Sequence, residues 1–267
     1  MSAAIKKLGI VAGGGTLPQT LLDYCDQNGV DSFVVGFEGH VEPETVKGRD
    51  HILMRIGAAG AIISTLRERG YEDLVLIGSV RRPKFSEMRP DLRTIAFFAK
   101  LGFRVLGDDG LLKAVRAELE DEGFTIHGIH EIVPGLLMPK GAITKVVPTD
   151  AQWEDIRVGL SASRDIGAKD IGQSVVVLDE DVLGTEDEDG TNALIKRAAA
   201  KGAILVKSSK PQQDRKLDMP AIGPETIRLC ASLGYAGIAA EYDGVLLSDR
   251  AAMVAMADEH GLFVVGV

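Results

Sequence analysis

Thiols are almost missing from this chain. Its 267 residues hold two cysteines, Cys25 and Cys230, far apart and with no CxxC pair. That excludes a disulfide framework and a cysteine zinc site, and it fits free thiols in a reducing compartment. Excess positive charge is missing as well. Thirty Lys and Arg stand against 39 Asp and Glu, a formal net charge of -9. No global basic field exists to hold nucleic acid, so nucleic-acid binding is set aside. No apolar run approaches the roughly 20 residues of a membrane span, and Met1 to Lys7 is too short and too polar for a secretory signal. The expectation is a cytoplasmic protein that meets a membrane, if at all, only at its surface. Internal repeats and low-complexity tracts are absent.

Familiar site motifs fail too. Gly13-Gly14-Gly15-Thr16-Leu17-Pro18 puts Pro18 where the dinucleotide fingerprint GxGxxG needs its last glycine, and no GK[ST] follows to make a Walker A loop. Neither the GDxH and GNHE/D motifs of two-metal phosphoesterases nor a Nudix box occurs. His127-Gly128-Ile129-His130 has no partner cluster that would make it a zinc site. Asp187-Glu188-Asp189-Gly190-Thr191 spells DxDxT, but Gly184-Thr185-Glu186 before it is not the buried strand that would present a nucleophilic Asp. The acidic run reads as a solvated turn, with Thr191 a helix N-cap or a substrate contact.

Glycine, by contrast, is plentiful at 31 residues, which suits tight turns and close approach of backbone to ligand. Strand-like runs at 7–12, 32–36, 51–54 and 74–77 alternate with helical patterns from Leu17 to Tyr24 and from Ala58 to Arg69. Helices follow at 91–101 and 109–122, and strand character returns at 125–133. Such alternation predicts a parallel sheet with helices on both faces, a Rossmann-like N-terminal domain. Pro134, Gly135, Pro139 and Gly141 then break the periodicity. The boundary is placed there, giving residues 1–134 and 135–267. The second half alternates again: helices at 153–166, 192–200, 225–233 and 250–260, strands at 174–178, 203–206, 236–240 and 262–267, and a hairpin-like stretch at 242–247. The predicted fold class is α/β, two domains with a cleft between them.

The glycine triplet sits between strand and helix, where backbone N–H groups can receive a phosphate or another anion. Gly13, Gly14, Gly15 and Thr16 are therefore candidate binding residues. Arg81 and Arg82 follow a strand that ends on the same side of the sheet, and each reads either as a forked phosphate contact or as a charged surface turn. Asp108 and Asp109 read as N-cap residues, with a metal carboxylate the lesser role. Ile95, Phe97, Phe98, Leu101 and Phe103 read as core packing or as a groove for a greasy ligand.

The most informative stretch is LVKSSKPQQDRKLDMPAIGPETI, Leu205 to Ile227. It places Lys207, Lys210, Arg215 and Lys216 beside Asp214 and Asp218, amid Gln212 and Gln213, between a strand end and a helix start. Cations next to carboxylates in such a loop suit a phosphorylated substrate. The cations hold phosphate oxygens, and a carboxylate binds a metal or steers a water.

With these segments located, the chain resembles the UDP-2,3-diacylglucosamine pyrophosphatases of lipid A biosynthesis, in the class unrelated to the metallophosphoesterases. The resemblance rests on GIVAGGGTLP (9–18), GSVRRP (78–83), RPDLR (89–93), GDDGLL (107–112), IGQSVVV (171–177), LVKSSKPQQDRKLDMPAIGPET (205–226) and GLFVVGV (261–267). It implies hydrolysis of the diphosphate to UMP and 2,3-diacylglucosamine 1-phosphate. It further implies dependence on Mg2+ or Mn2+, a lipid held between two domains, and a homodimer. The essential aspartate of that family falls at Asp218, in LDMP, which is also the tentative metal ligand. Beside it, Lys207 and Asp214 become catalytic candidates, and Lys210, Gln213, Arg215, Thr191 and Asn192 substrate contacts. Asn192 departs from the Asp expected there. A non-catalytic nucleotide or lipid carrier and a dinucleotide-dependent reductase are the alternative readings.

Overall fold

A computed structural model describes residues 5–81, 88–101 and 108–267, apart from the side chains of residues 108 and 109. By its internal contacts the chain divides into two units. One is Met1–Val133 with Asp214–Asp218, and the other is Pro134–Gln213 with Met219–Val267. Among the described residues no helix is long and apolar enough to cross a membrane.

The first unit runs β1 (Lys7–Ala12), α1 (Thr16–Asn28), β2 (Asp31–Phe37), α2 (Pro43–Val46), β3 (His51–Met54), α3 (Ala59–Glu68) and β4 (Asp73–Ile77). After these come α4 (Leu92–Leu101), α5 (Asp108–Asp121), β5 (Thr125–Ile126) and α6 (Ile129–Ile132). Its five strands form one sheet in the order β3-β2-β1-β4-β5, and every neighbouring pair is parallel. All five carboxyl ends therefore lie along one edge, the edge where such sheets bind ligands. The apolar runs read as strands because both faces are covered. Phe33 and Val35 pack with Ile62, Leu66 and Leu119 of the helices, and Leu8, Ile10 and Val34 are equally buried. One expectation is corrected here. The strand predicted over 125–133 is only Thr125–Ile126, and Ile129–Ile132 is a helical turn. The Gly128 amide donates to Glu131 Oε2 at 2.8 Å, which closes the turn and ends the extended run.

The second unit runs β6 (Gly141–Ala142), α7 (Asp150–Ala168), β7 (Ser174–Leu178), β8 (Asp181–Thr185), α8 (Thr191–Arg197), β9 (Ile204–Lys207) and β10 (Ala221–Ile222). It continues with α9 (Pro224–Ser232), β11 (Gly237–Ala240), β12 (Leu246–Leu247), α10 (Arg250–His260) and β13 (Phe263–Gly266). Its main sheet has the order β6-β13-β11-β9-β7-β8. Strands β13, β11 and β9 are parallel, and β6, β7 and β8 pair antiparallel.

Alternation along these strands divides their side chains between two cores. Val175, Val177, Ile204 and Val206 meet Ile156 of α7, while Val176 and Leu205 meet Leu194, Ile227 and Met253 on the other face. Gly159 lets α7 lie close on the sheet, since a Cβ there would stand 2.5 Å from Val206. Two further differences from the sequence pattern arise here. Strand β8 goes unpredicted because its turn, Asp179-Glu180, takes positive φ at both positions (51° and 63°) without the usual Asn-Gly signal. The stretch 242–247 is not a hairpin, because Leu246 and Leu247 pair in parallel with Ala221 and Ile222.

Candidate functional site

The segment 207–218 divides between the units. Its first part is held by the C-terminal unit. Lys207 ends β9 and by alternation points to the face of Leu205, toward α8. It is only 5% exposed, and its Nζ donates to Thr191 Oγ1 at 2.9 Å. The Thr191 hydroxyl donates in turn to Glu186 Oε1 at 2.5 Å and lies 3.4 Å from Ser174 Oγ. The other Glu186 oxygen accepts the Gln173 amide at 3.0 Å.

Burying a lysine ammonium costs several kcal/mol unless partners compensate, and Glu186 is the compensating charge. Its own burial, at 7% exposed, works against ionisation. The Lys207 charge and the hydrogen bonds from Thr191, Gln173 and Ser174 outweigh that, and hold the carboxyl below its ordinary value of 4.5.

Beyond Lys207 the loop is pinned at every step. The Ser208 amide donates to Gln173 O at 2.9 Å, and the Ser208 and Ser163 hydroxyls are hydrogen-bonded. Glu241 Oε2 accepts both the amide (2.9 Å) and the hydroxyl (2.6 Å) of Ser209. Lys210 Nζ reaches Asp170 at 2.7 Å, and the Lys210 amide donates to Gln213 Oε1 at 2.9 Å.

The second part, 214–218, is a turn that belongs to the N-terminal unit. Arg116 Nη1 donates to both Asp214 oxygens, at 3.0 and 2.8 Å. Lys216 Nζ donates to the carbonyl of Ile126 at 2.7 Å, at the carboxyl end of β5. Leu217 packs on the core around Phe124 and Ile126. The amides of Leu217 and Asp218 both donate to Asp214 O, at 3.0 and 2.8 Å. The turn thus lies at the sheet edge that also carries the glycine loop after β1. There the Gly13 amide donates to Ile77 O at 2.9 Å, and Gly14 and Ser79 exchange backbone bonds at 2.8 Å. Gly13 tolerates no side chain, since a Cβ would sit 2.4 Å from Ser79 O. The Gly15 amide, at φ 94°, donates to Glu42 Oε1 at 3.0 Å.

Two family models match the chain end to end, the LpxI N-terminal domain over residues 7–136 and the LpxI C-terminal domain over residues 139–265. A curated relative from Caulobacter vibrioides, UDP-2,3-diacylglucosamine pyrophosphatase LpxI, is 37% identical over 277 aligned positions. The alignment covers 98% of this chain and 98% of that protein. The chain belongs to the LpxI family.

Within this LpxI chain the structure brings Lys207 and Thr191 into one buried network. It sets Lys210 and Gln213 on the same pinned loop, and it joins Asp214 and Asp218 in one turn. Asn192 is exposed on α8, and Arg81 and Arg215 are exposed. Arg82 and Phe103 lie outside the described residues. The residues that sequence reasoning missed are partners rather than motif members: Glu186, Ser174, Arg116, Asp170 and Glu241. Nothing in their neighbourhoods marks them, because each meets the segment only through tertiary packing.

One consequence is measurable in stability. A carboxylate whose folded pKa is lowered contributes stability above its unfolded value, and that contribution is lost as pH falls through the folded value. Wild-type Tm should therefore drop as pH falls below about 4.5, and Glu186→Gln should flatten part of that drop. Thermal melts across pH 3 to 7 check it. An unchanged acid slope in the variant would contradict the depressed pKa.

Proposed function

We propose that this chain hydrolyses the diphosphate of UDP-2,3-diacylglucosamine, releasing UMP and 2,3-diacylglucosamine 1-phosphate. The carrying observation is the end-to-end match to the LpxI relative, with both domain models in order. Water oxygen forms a bond to one phosphorus, and the bridging P–O bond breaks with its electron pair leaving on the departing phosphate. The diphosphate is anionic, and negative charge shifts onto the leaving oxygen in flight. Lys207, Lys210 and Arg215 offset that charge. Asp218 orients the attacking water at the transition state. Asp214 holds the turn, since both of its oxygens are taken by Arg116.

A divalent cation belongs to the same proposal. Among the described residues no group of three or more His, Cys, Asp or Glu could hold one. A donor set of one carboxylate, Asp218, with phosphate and water oxygens fits Mg2+ or Mn2+, which are often bound through one or two carboxylates and substrate phosphates. When bound, such a cation polarises phosphoryl oxygens and neutralises charge. A homodimer, cytoplasmic residence and passing contact with a membrane surface complete the proposal, supported by the family resemblance.

Incubating the purified chain with UDP-2,3-diacylglucosamine and following UMP tests the reaction. Absence of UMP from folded protein supplied with Mg2+ or Mn2+ would refute it. The anchoring role has its own test. Arg116→Ala should lower kcat/KM about 10- to 30-fold, or about 1.4–2 kcal/mol. Asp214→Ala should do the same, and the double variant should lose no more than either single one. Losses that multiply would give Asp214 a separate chemical role.

A further inference from the structure

The buried chain of contacts behind Lys207 carries more than packing. The Thr191 hydroxyl has a single proton, and at 2.5 Å that proton goes to Glu186 Oε1. Its lone pairs are therefore left for the Lys207 ammonium, 2.9 Å away. A second proton donor, the Gln173 amide, fixes the other Glu186 oxygen at 3.0 Å, so the carboxylate cannot rotate freely. Gly172 makes room for this, because a Cβ there would sit 2.6 Å from the Glu186 carbonyl oxygen and 2.8 Å from its Cβ. The direction of the Thr191 hydroxyl proton, and with it the lone pairs offered to Lys207, is thus set by Glu186. Polar groups are an expensive way to fill this space. The same helix supplies Leu194 and Ile195 to the neighbouring core, and a buried charge pair is commonly no more stabilising than apolar residues of similar volume. A carboxylate kept at 7% exposure beside a lysine at 5% therefore serves the lysine.

Building on the reading that Lys207 faces substrate phosphate, we infer that Glu186 is a positioning residue for the hydrolysis. Through Thr191 it fixes the direction of the Lys207 ammonium, and its negative charge stands beside that of the buried lysine. Glu186 itself touches no reacting atom.

The test compares four variants of the full chain by kcat/KM for UMP release, with Tm measured on each. Lys207→Met should lose at least about 100-fold. Glu186→Gln, which keeps the shape and removes the charge, should lose about 10- to 100-fold. The double variant should be no worse than Lys207→Met alone, because Glu186 acts only through that lysine. Thr191→Val should resemble Glu186→Gln, and Thr191→Ser, which restores the hydroxyl, should recover activity relative to it. The Thr191 pair decides the matter if Glu186→Gln does not fold. Wild-type activity in Lys207→Met would overturn the reading of Lys207 and the inference with it. A crippled Lys207→Met beside fully active Glu186→Gln or Thr191→Val would overturn the inference alone. Glu186 and Lys207 losses that multiply in the double variant would overturn it as well.

Discussion

Asp218→Ala should abolish turnover while leaving substrate binding nearly intact. Binding is expected to come from burial of two acyl chains and from cationic and backbone contacts to diphosphate and uridine, none of which needs this carboxylate. On the proposed mechanism, chemistry needs it only as the transition state forms. Losing such a group costs a few powers of ten, or roughly 3–5 kcal/mol at about 1.4 kcal/mol per decade. The fold gives no reason for a wider collapse. Arg116 on Asp214, Lys216 on Ile126 and Leu217 in the core all hold the turn. The variant should melt near wild type, bind UDP-2,3-diacylglucosamine with no more loss of affinity than cation removal causes, and retain it uncleaved. Lys207→Ala and Arg215→Ala should instead weaken binding and rate together, since on the proposed mechanism they meet phosphate in the ground and transition states alike. Folded Asp218→Ala with near-normal kcat would move the essential carboxylate elsewhere.

The sequence made some of this legible and concealed the rest for physical reasons. Strands buried on both faces read as plain apolar runs, so β1, β7 and β9 are visible from composition alone. The main α/β alternation follows from them. Short strands that pair far along the chain leave no such trace. β10 at Ala221–Ile222 and β12 at Leu246–Leu247 are two residues each and pair with each other. β8 hides behind a turn whose positive-φ residues are Asp179 and Glu180 rather than glycine.

The candidate site divides in the same way. Its charged loop stands out because lysines, an arginine and aspartates crowd into twelve residues between a strand and a helix. What those side chains touch does not stand out. That Asp214 is committed to Arg116, 98 positions earlier, cannot be inferred from local pattern. Nor can the burial of Lys207 against Glu186, the residue just before the acidic run that reads as a solvated turn. The run Glu186-Asp187-Glu188-Asp189 looks uniform in sequence, yet Glu186 alone of the four is buried. It follows a strand edge, and the turn carries the other three outward.

Metal removal should have an effect as large as the loss of Asp218. Chelation is expected to stop UMP release, and added Mg2+ or Mn2+ to restore it. Cys25 and Cys230 are buried, with thiol pKa values pushed up to about 11 and about 12 by burial, so neither offers a thiolate. No cluster of three His, Cys, Asp or Glu is available among the described residues, and Asp214 is occupied by Arg116. A cation held by one carboxylate, with the rest of its shell from water and substrate phosphate, binds weakly and leaves readily to a chelator. Its charge stabilisation in the transition state is worth several kcal/mol, about two to four decades of rate at about 1.4 kcal/mol each. Acyl burial does not depend on it, so substrate should still bind in excess EDTA, at reduced affinity where phosphate contacts weaken. Dialysed protein assayed with EDTA, then titrated with each cation, makes the measurement. Full turnover in excess EDTA would end the metal-dependent reading and leave Lys207, Lys210 and Arg215 as the whole of the charge compensation.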